Sequence, residues 1–118
     1  MISSLNTSLS GLNAFQQQLN VAANNLANVN TDGFKKSQTL LESVAPQGVI
    51  AKSQKLELPG PLELQQTADG EQLVEKSNVD VSQEMVNLVT SRRAYQANLK
   101  ALKATDETVG SLLDVVGR

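Results

Sequence analysis

A chain of 118 residues with ten basic and twelve acidic side chains has room for at most one ordinary domain and little net attraction for a polyanion. It holds no Cys and no His, which excludes the common zinc sites and every thiol or imidazole mechanism. Aromatic residues make up 3 % of the chain against 40 % apolar overall, so its interior must be built from Leu, Val and Ala, and it offers no platform on which nucleic-acid bases could stack.

Residues 1–30 carry an apolar seam at alternating three- and four-residue spacing: Ile2, Leu5, Leu9, Leu12, Gln16, Leu19, Ala23, Leu26 and Asn30. This is the heptad spacing of a coiled coil. Its d-type positions (Leu5, Leu12, Leu19, Leu26) are all leucine, and its a-type positions are mixed in size. The spacing predicts one helix of roughly 43 Å ending near Asn30, where Asn28, Thr31, Asp32 and Gly33 interrupt it. Asn24, Asn25 and Asn28 fall on the outer face of the heptad. They read either as a solvated face or as a second contact face, whose amides would bond a neighbour once water is excluded. Met1–Leu12 has neither a basic start nor an unbroken apolar run, so no cleaved secretory signal is expected. No stretch is long and apolar enough to predict insertion into a membrane.

Residues 31–79 hold all three prolines and four of the seven glycines. Short alternating runs at Val49–Leu58 and Leu73–Glu75 predict one or two strands or extended pieces. Turns are expected at Pro59-Gly60-Pro61 and Asp69-Gly70. Glu71 and Glu75 are candidates for a catalytic carboxylate pair only in being acidic, and their simpler reading is solvated loop charge.

Residues 80–118 repeat the first pattern. Asp80 followed by Gln83 resembles a capping box at a helix start. The seam then runs through Val81, Met85, Leu88, Arg92, Tyr95, Leu99, Leu102, Asp106, Val109, Leu113 and Val116, about 52 Å of helix. Arg92 and Asp106 place charge in the seam, which reads either as a device that fixes register or selects a partner or as charge escaping at a loosely packed layer. The predicted fold is therefore mainly α: an N-terminal helix (1–30), a short extended or β middle (31–79) and a C-terminal helix (80–118), the two helices pairing antiparallel. Ile2 is then expected near Val116, and Leu26 near Met85 or Leu88. Two amphipathic helices alone still expose apolar surface, with Phe15, Val29, Val89 and Leu112 flanking the seams, so further copies are expected to cover it. The predicted assembly seam is Leu5, Leu9, Leu12, Leu19, Leu26, Met85, Leu88, Tyr95, Leu99, Leu102, Val109 and Leu113. No catalytic, cofactor or metal site and no small-molecule substrate are expected.

Two stretches add a resemblance. Asn24-Asn25-Leu26-Ala27-Asn28, with Asn30, Thr31, Gly33, Phe34 and Lys35, is similar to the N-terminal signature of bacterial flagellar axial proteins. Ser77-Asn78-Val79-Asp80-Val81 through Leu88, followed by Arg93, Tyr95, Gln96 and Asn98, resembles their C-terminal signature. Together they cover roughly half the chain, in the right order and at opposite ends. Within the family the short length fits the small proximal-rod subunits of the C type, although the middle lacks a Tyr-Asp-Pro-Gly-His-Pro-like segment and Asp32 stands where many relatives carry Pro or Thr. The resemblance implies a structural subunit of the basal-body rod that polymerises through its terminal helices into a hollow, torque-transmitting shaft. It also implies export by the flagellar type III apparatus without signal cleavage, and partners among other axial proteins and copies of the chain itself. The reading that competes with it is a soluble coiled-coil adaptor or chaperone, which would be a folded dimer in dilute solution.

Overall fold

The computed structural model describes residues 2–117; Met1 and Arg118, the outer limits of the two predicted helical segments, lie outside the described residues. Helix α1 spans Ile2–Ala27 and helix α2 spans Val81–Val116. Four strands lie between them: β1 (Ser37–Ser43), β2 (Val49–Lys55), β3 (Leu62–Thr67) and β4 (Gly70–Glu75). They form two separate antiparallel hairpins, β1 with β2 and β3 with β4. The molecule is elongated, with principal extents of 82 × 23 × 19 Å.

Helix α1 stops three residues before Asn30. The Asn28 N–H is shared between the carbonyls of Asn24 and Asn25, and the Val29 N–H reaches Leu26, so the ladder tightens into turns. Gly33 then takes φ +68°, a left-handed conformation open to glycine, and redirects the chain into the middle segment. Helix α2 begins as its sequence predicts. Asp80 caps it, Oδ1 accepting the Gln83 N–H at 3.2 Å. The box is only half formed, because the Gln83 side chain donates to Asn87 Oδ1 instead of reaching back.

The helices run antiparallel. Gly11 faces Asn98 so closely that a Cβ there would lie 3.1 Å from Asn98 Oδ1. Seven residues further along α1, Gln18 Oε1 accepts a bond from Ser91 Oγ at 3.1 Å. This register corrects the expected pairing at the open end. Ile2 lies level with Glu107 instead of Val116, and Leu26 lies level with Gln83. The cause is length: 26 residues in α1 against 36 in α2. The last nine residues of α2, about 14 Å, run past the start of α1. Leu112, Leu113, Val115 and Val116 are accordingly exposed.

Hairpin β1–β2 lies along α1. Ser10 Oγ accepts the Val49 N–H at 3.1 Å, and Gln17 Nε2 donates to Ser53 Oγ at 3.0 Å. Gly48 permits this approach, since a Cβ on it would come within 2.9 Å of Ser10 Oγ. Hairpin β3–β4 packs on neither helix. One of its faces presents Leu62, Leu64 and Leu73 to solvent. Two strands were expected at most, and β1 (SQTLLES) and β3 (LELQQT) are additions. Their polar residues weaken the alternating signal that marks a strand.

Among the described residues, the buried apolar side chains are Leu12, Ala14 and Ala22. They sit where α1 is sandwiched between α2 and the first hairpin. Such a small interior is sparing for a chain of this length.

Candidate assembly interface

The heptad seam divides into two columns with different fates. In α1 the d-type residues face inward: Leu12 is buried, and Leu5, Leu19 and Leu26 are half-buried. In α2 the d-type Leu88, Tyr95, Leu102 and Val109 are likewise half-buried. The a-type residues face outward on both helices. Ile2, Leu9 and Ala23 on α1, and Met85, Leu99 and Leu113 on α2, are all exposed, Leu9 at 51 % and Leu99 at 48 %. The inward column is completed not by the a-type residues but by the position just before each of them on α2, where Glu84 and Ser91 are buried and Asn98 and Thr105 are half-buried. Gly11 opposite Asn98 and Ser91 opposite Gln18 are compact enough for close helix approach. The a column contains Gln16, Arg92 and Asp106, which would leave unpaired polar groups if turned inward.

The two signature segments meet at one place, the junction where the helices join the hairpins. Asn25 corrects the outer-face reading: it is 1 % exposed and works inside the molecule. Its Nδ2 donates to the Ser37 carbonyl at 2.8 Å, and its Oδ1 accepts the Ser37 N–H at 2.9 Å. The side-chain amide thus pairs with the first residue of β1 as a strand neighbour would. Asn78, from the opposite signature, holds the adjacent residue. Its Oδ1 accepts the Lys36 N–H at 2.6 Å, and its Nδ2 donates to the carbonyls of Leu56 at 3.1 Å and Leu58 at 2.9 Å. Two asparagines fifty-three positions apart therefore clamp one dipeptide. Asn28 turns inward on its own helix end, bonding the Asn24 carbonyl and accepting from Thr31 Oγ1, while Asn24, Ala27 and Asn30 are exposed.

Backbone bonds complete the junction. The Gly33 N–H donates to the Glu75 carbonyl at 2.8 Å, the Asn78 N–H to the half-buried Phe34 at 3.2 Å, and the Leu56 N–H to Lys36 at 2.9 Å. Gly60 is packed against the Lys76 carbonyl with no room for a side chain. The Glu75 carboxylate accepts from Lys35 Nζ and from the Gly60 N–H. Lys76 pairs with Asp32 at 2.7 Å. Glu75 is thus an internal strut rather than solvated loop charge, and only Glu71 fits the latter description. Sequence reasoning missed Lys36, Ser37, Gly60 and Glu75 as a unit, since no spacing rule links positions so far apart.

The bond from Lys35, reinforced by the Gly60 N–H, holds the Glu75 carboxyl below its ordinary value of 4.5. With the folded value below the unfolded one, this pairing stabilises the junction fully above about pH 4.5 and is lost as pH falls through the folded value. The protection of the Gly60 amide, its exchange measured against the free peptide at the same pH, should therefore fall on acidification below about pH 4.5, and Glu75→Gln should remove that loss. An acid response unchanged in Glu75→Gln would assign it to another carboxylate.

Of the remaining signature residues, Arg93 and Gln96 are exposed on α2, whereas Asn98 meets Gly11. No group of His, Cys, Asp or Glu among the described residues could hold a metal ion, and no described helix is long and apolar enough to cross a membrane.

Two family models match the chain at its two ends. Residues 5–35 match "Flagella basal body rod protein", and residues 71–115 match "Flagellar basal body rod FlgEFG protein C-terminal". Among curated proteins, the flagellar basal-body rod protein FlgC of Yersinia enterocolitica is 34 % identical over 111 residues, covering 81 % of this chain and 83 % of that protein. FlgC of Escherichia coli O6:H1 is 36 % identical over 108 residues, covering 79 % and 81 %. The flagellar hook protein FlgE of Escherichia coli K12 is 25 % identical over 145 aligned positions, which take in 92 % of this chain but 36 % of the hook protein.

Proposed function

The chain belongs to the flagellar basal-body rod protein family, and from that premise we propose that its outward a-type columns are the surfaces through which it polymerises. It is a FlgC-like structural subunit of the rod. The observation that carries the proposal is the division of the heptads. One column closes the antiparallel pair, and the other leaves Leu9, Met85, Leu99 and Leu113 bare on a molecule with few buried apolar side chains of its own. Head-to-tail contacts through these columns, repeated without closing into a ring, would build a helical shaft. Both helices lie along the long axis of an 82 Å molecule, so each subunit would place many small contacts in parallel with the shaft and resist twisting.

In this reading 1–30 and 80–118 are the axial segments and 31–79 is the outward-facing middle. Other axial proteins and further copies cover the columns. The subunit reaches the basal body through the flagellar type III export apparatus, keeping its N-terminus. Helices that bury so little apolar surface are marginal in water, so ordering and assembly would be coupled at the growing tip. The family is structural, and the proposed role calls for no catalysis.

The test is purification of basal bodies followed by mass-spectrometric identification of the chain and its cross-linked neighbours. Cross-links from the Leu9 and Leu99 surfaces to other axial chains are the expected result. Recovery of the chain in rods with those surfaces unlinked, and links only elsewhere, would refute the columns. Absence from the basal body would refute the axial role.

A further inference from the structure

A polar groove of about 330 Å³ lies between the first turns of α2, the middle of α1 and strand β1. Gln18, Lys36, Thr39, Glu84 and Ser91 are among the residues that line it. One buried hydroxyl there has no partner, and one carboxylate opens onto the groove unpaired. Glu84 is 4 % exposed, yet its side chain makes no hydrogen bond and no ion pair among the described residues. Thr39 Oγ1 is buried and also unbonded. Lys36 borders the groove without pairing with Glu84. The carboxylate of Glu84 is thus an acceptor open to a donor that enters the groove.

The groove therefore suits a long cationic side chain entering from outside. The same helix carries three exposed cations without an ion-pair partner among the described residues, Arg92, Arg93 and Lys100, and of the two guanidinium groups Arg93 is the one on the side away from Glu84. Nine residues at about 100° each put it half a turn around α2 from Glu84, so the two cannot meet within one molecule. A donor on one side of a helix and an unpaired acceptor on the other are the two halves of a heterologous contact. We propose that Arg93 of a second copy of this chain inserts into the groove and pairs with Glu84, its planar fork of donors matching the carboxylate. The proposal rests on the reading of the chain as a polymerising subunit. It adds which residues fix the register between neighbours.

The experiment uses Arg93→Lys, which keeps the charge and supplies an amine. Rods assembled from a mixture of isotopically light and heavy copies of this variant are treated with a carbodiimide, which joins an amine to a carboxylate in contact with it. The expected product is a light–heavy cross-linked peptide joining position 93 to Glu84. Glu84→Gln should abolish that product and lower incorporation into rods at least about tenfold, whereas a groove holding only water predicts unchanged incorporation. Rods that contain the variant but yield only an amide between Lys36 and Glu84 of one copy, or none, overturn the inference and leave the axial role standing. A chain missing from rods in its unmutated form overturns both.

Discussion

Leu99→Asp should leave the isolated chain as helical as the parent while preventing its incorporation into rods, whereas Leu12→Asp should damage both. The two leucines belong to the same heptad pattern, but Leu99 is half-exposed on the outward column and Leu12 is buried between α2 and the first hairpin. A carboxylate at Leu99 meets water in the free subunit and costs little there. It becomes a buried charge only when a neighbour covers it. At Leu12 the lost packing and the desolvated charge together cost more than about 3 kcal/mol, a large part of the stability of any small domain. Circular dichroism of the purified variants, with swimming of a strain complemented by each, separates the two effects. Equal loss of helicity in both variants would show that the columns are not divided as described. Full motility in Leu99→Asp would remove that column from the assembly surface.

Asn25→Ala should release the first hairpin from the helix. The amide makes two bonds to Ser37, and its removal leaves the half-buried N–H and carbonyl of Ser37 without this partner, at a cost of about 1–3 kcal/mol. The Ser37 amide should then exchange with solvent much faster, and the acceleration should spread along β1, while the paired helices around Gly11 and Asn98 keep their protection. Asn78→Ala should add its own loss at Lys36. The two substitutions share a dipeptide, so their effects should not add. Unchanged exchange at Ser37 in Asn25→Ala would mean that the strand is held by its hairpin partner alone.

The terminal helices and their direction were legible because heptad spacing is a local signal repeated many times, and Asp80 capped α2 where its sequence placed it. Which column faced inward was not legible. A heptad offers two apolar columns, and the choice was made by residues outside them, among them Gly11, Ser91 and Asn98. Asn25 was misplaced for a related reason. Its heptad position reads as the outer face only if the a column turns inward; with the columns as they are, Asn25 shares the side of Gly11 and Gln18, and the first hairpin closes over it. β1 and β3 went unseen because Gln, Ser and Glu interrupt their alternation. The signatures nevertheless identified the family, and the family matches lend no support to a soluble adaptor.

The unequal lengths of the helices give the two ends of the subunit unlike chemistry. One end is a knot of amides and paired charges with its hydrogen bonds already made. The other is a bare finger tipped by Leu113 and Val116. A column of such pieces has a top and a bottom. In the common orientation each newcomer meets its neighbour finger to flank, and an inverted one would set its knot against a knot whose hydrogen bonds are already made. Directionality of growth is thus inherent in a single molecule, before any template or cap imposes it.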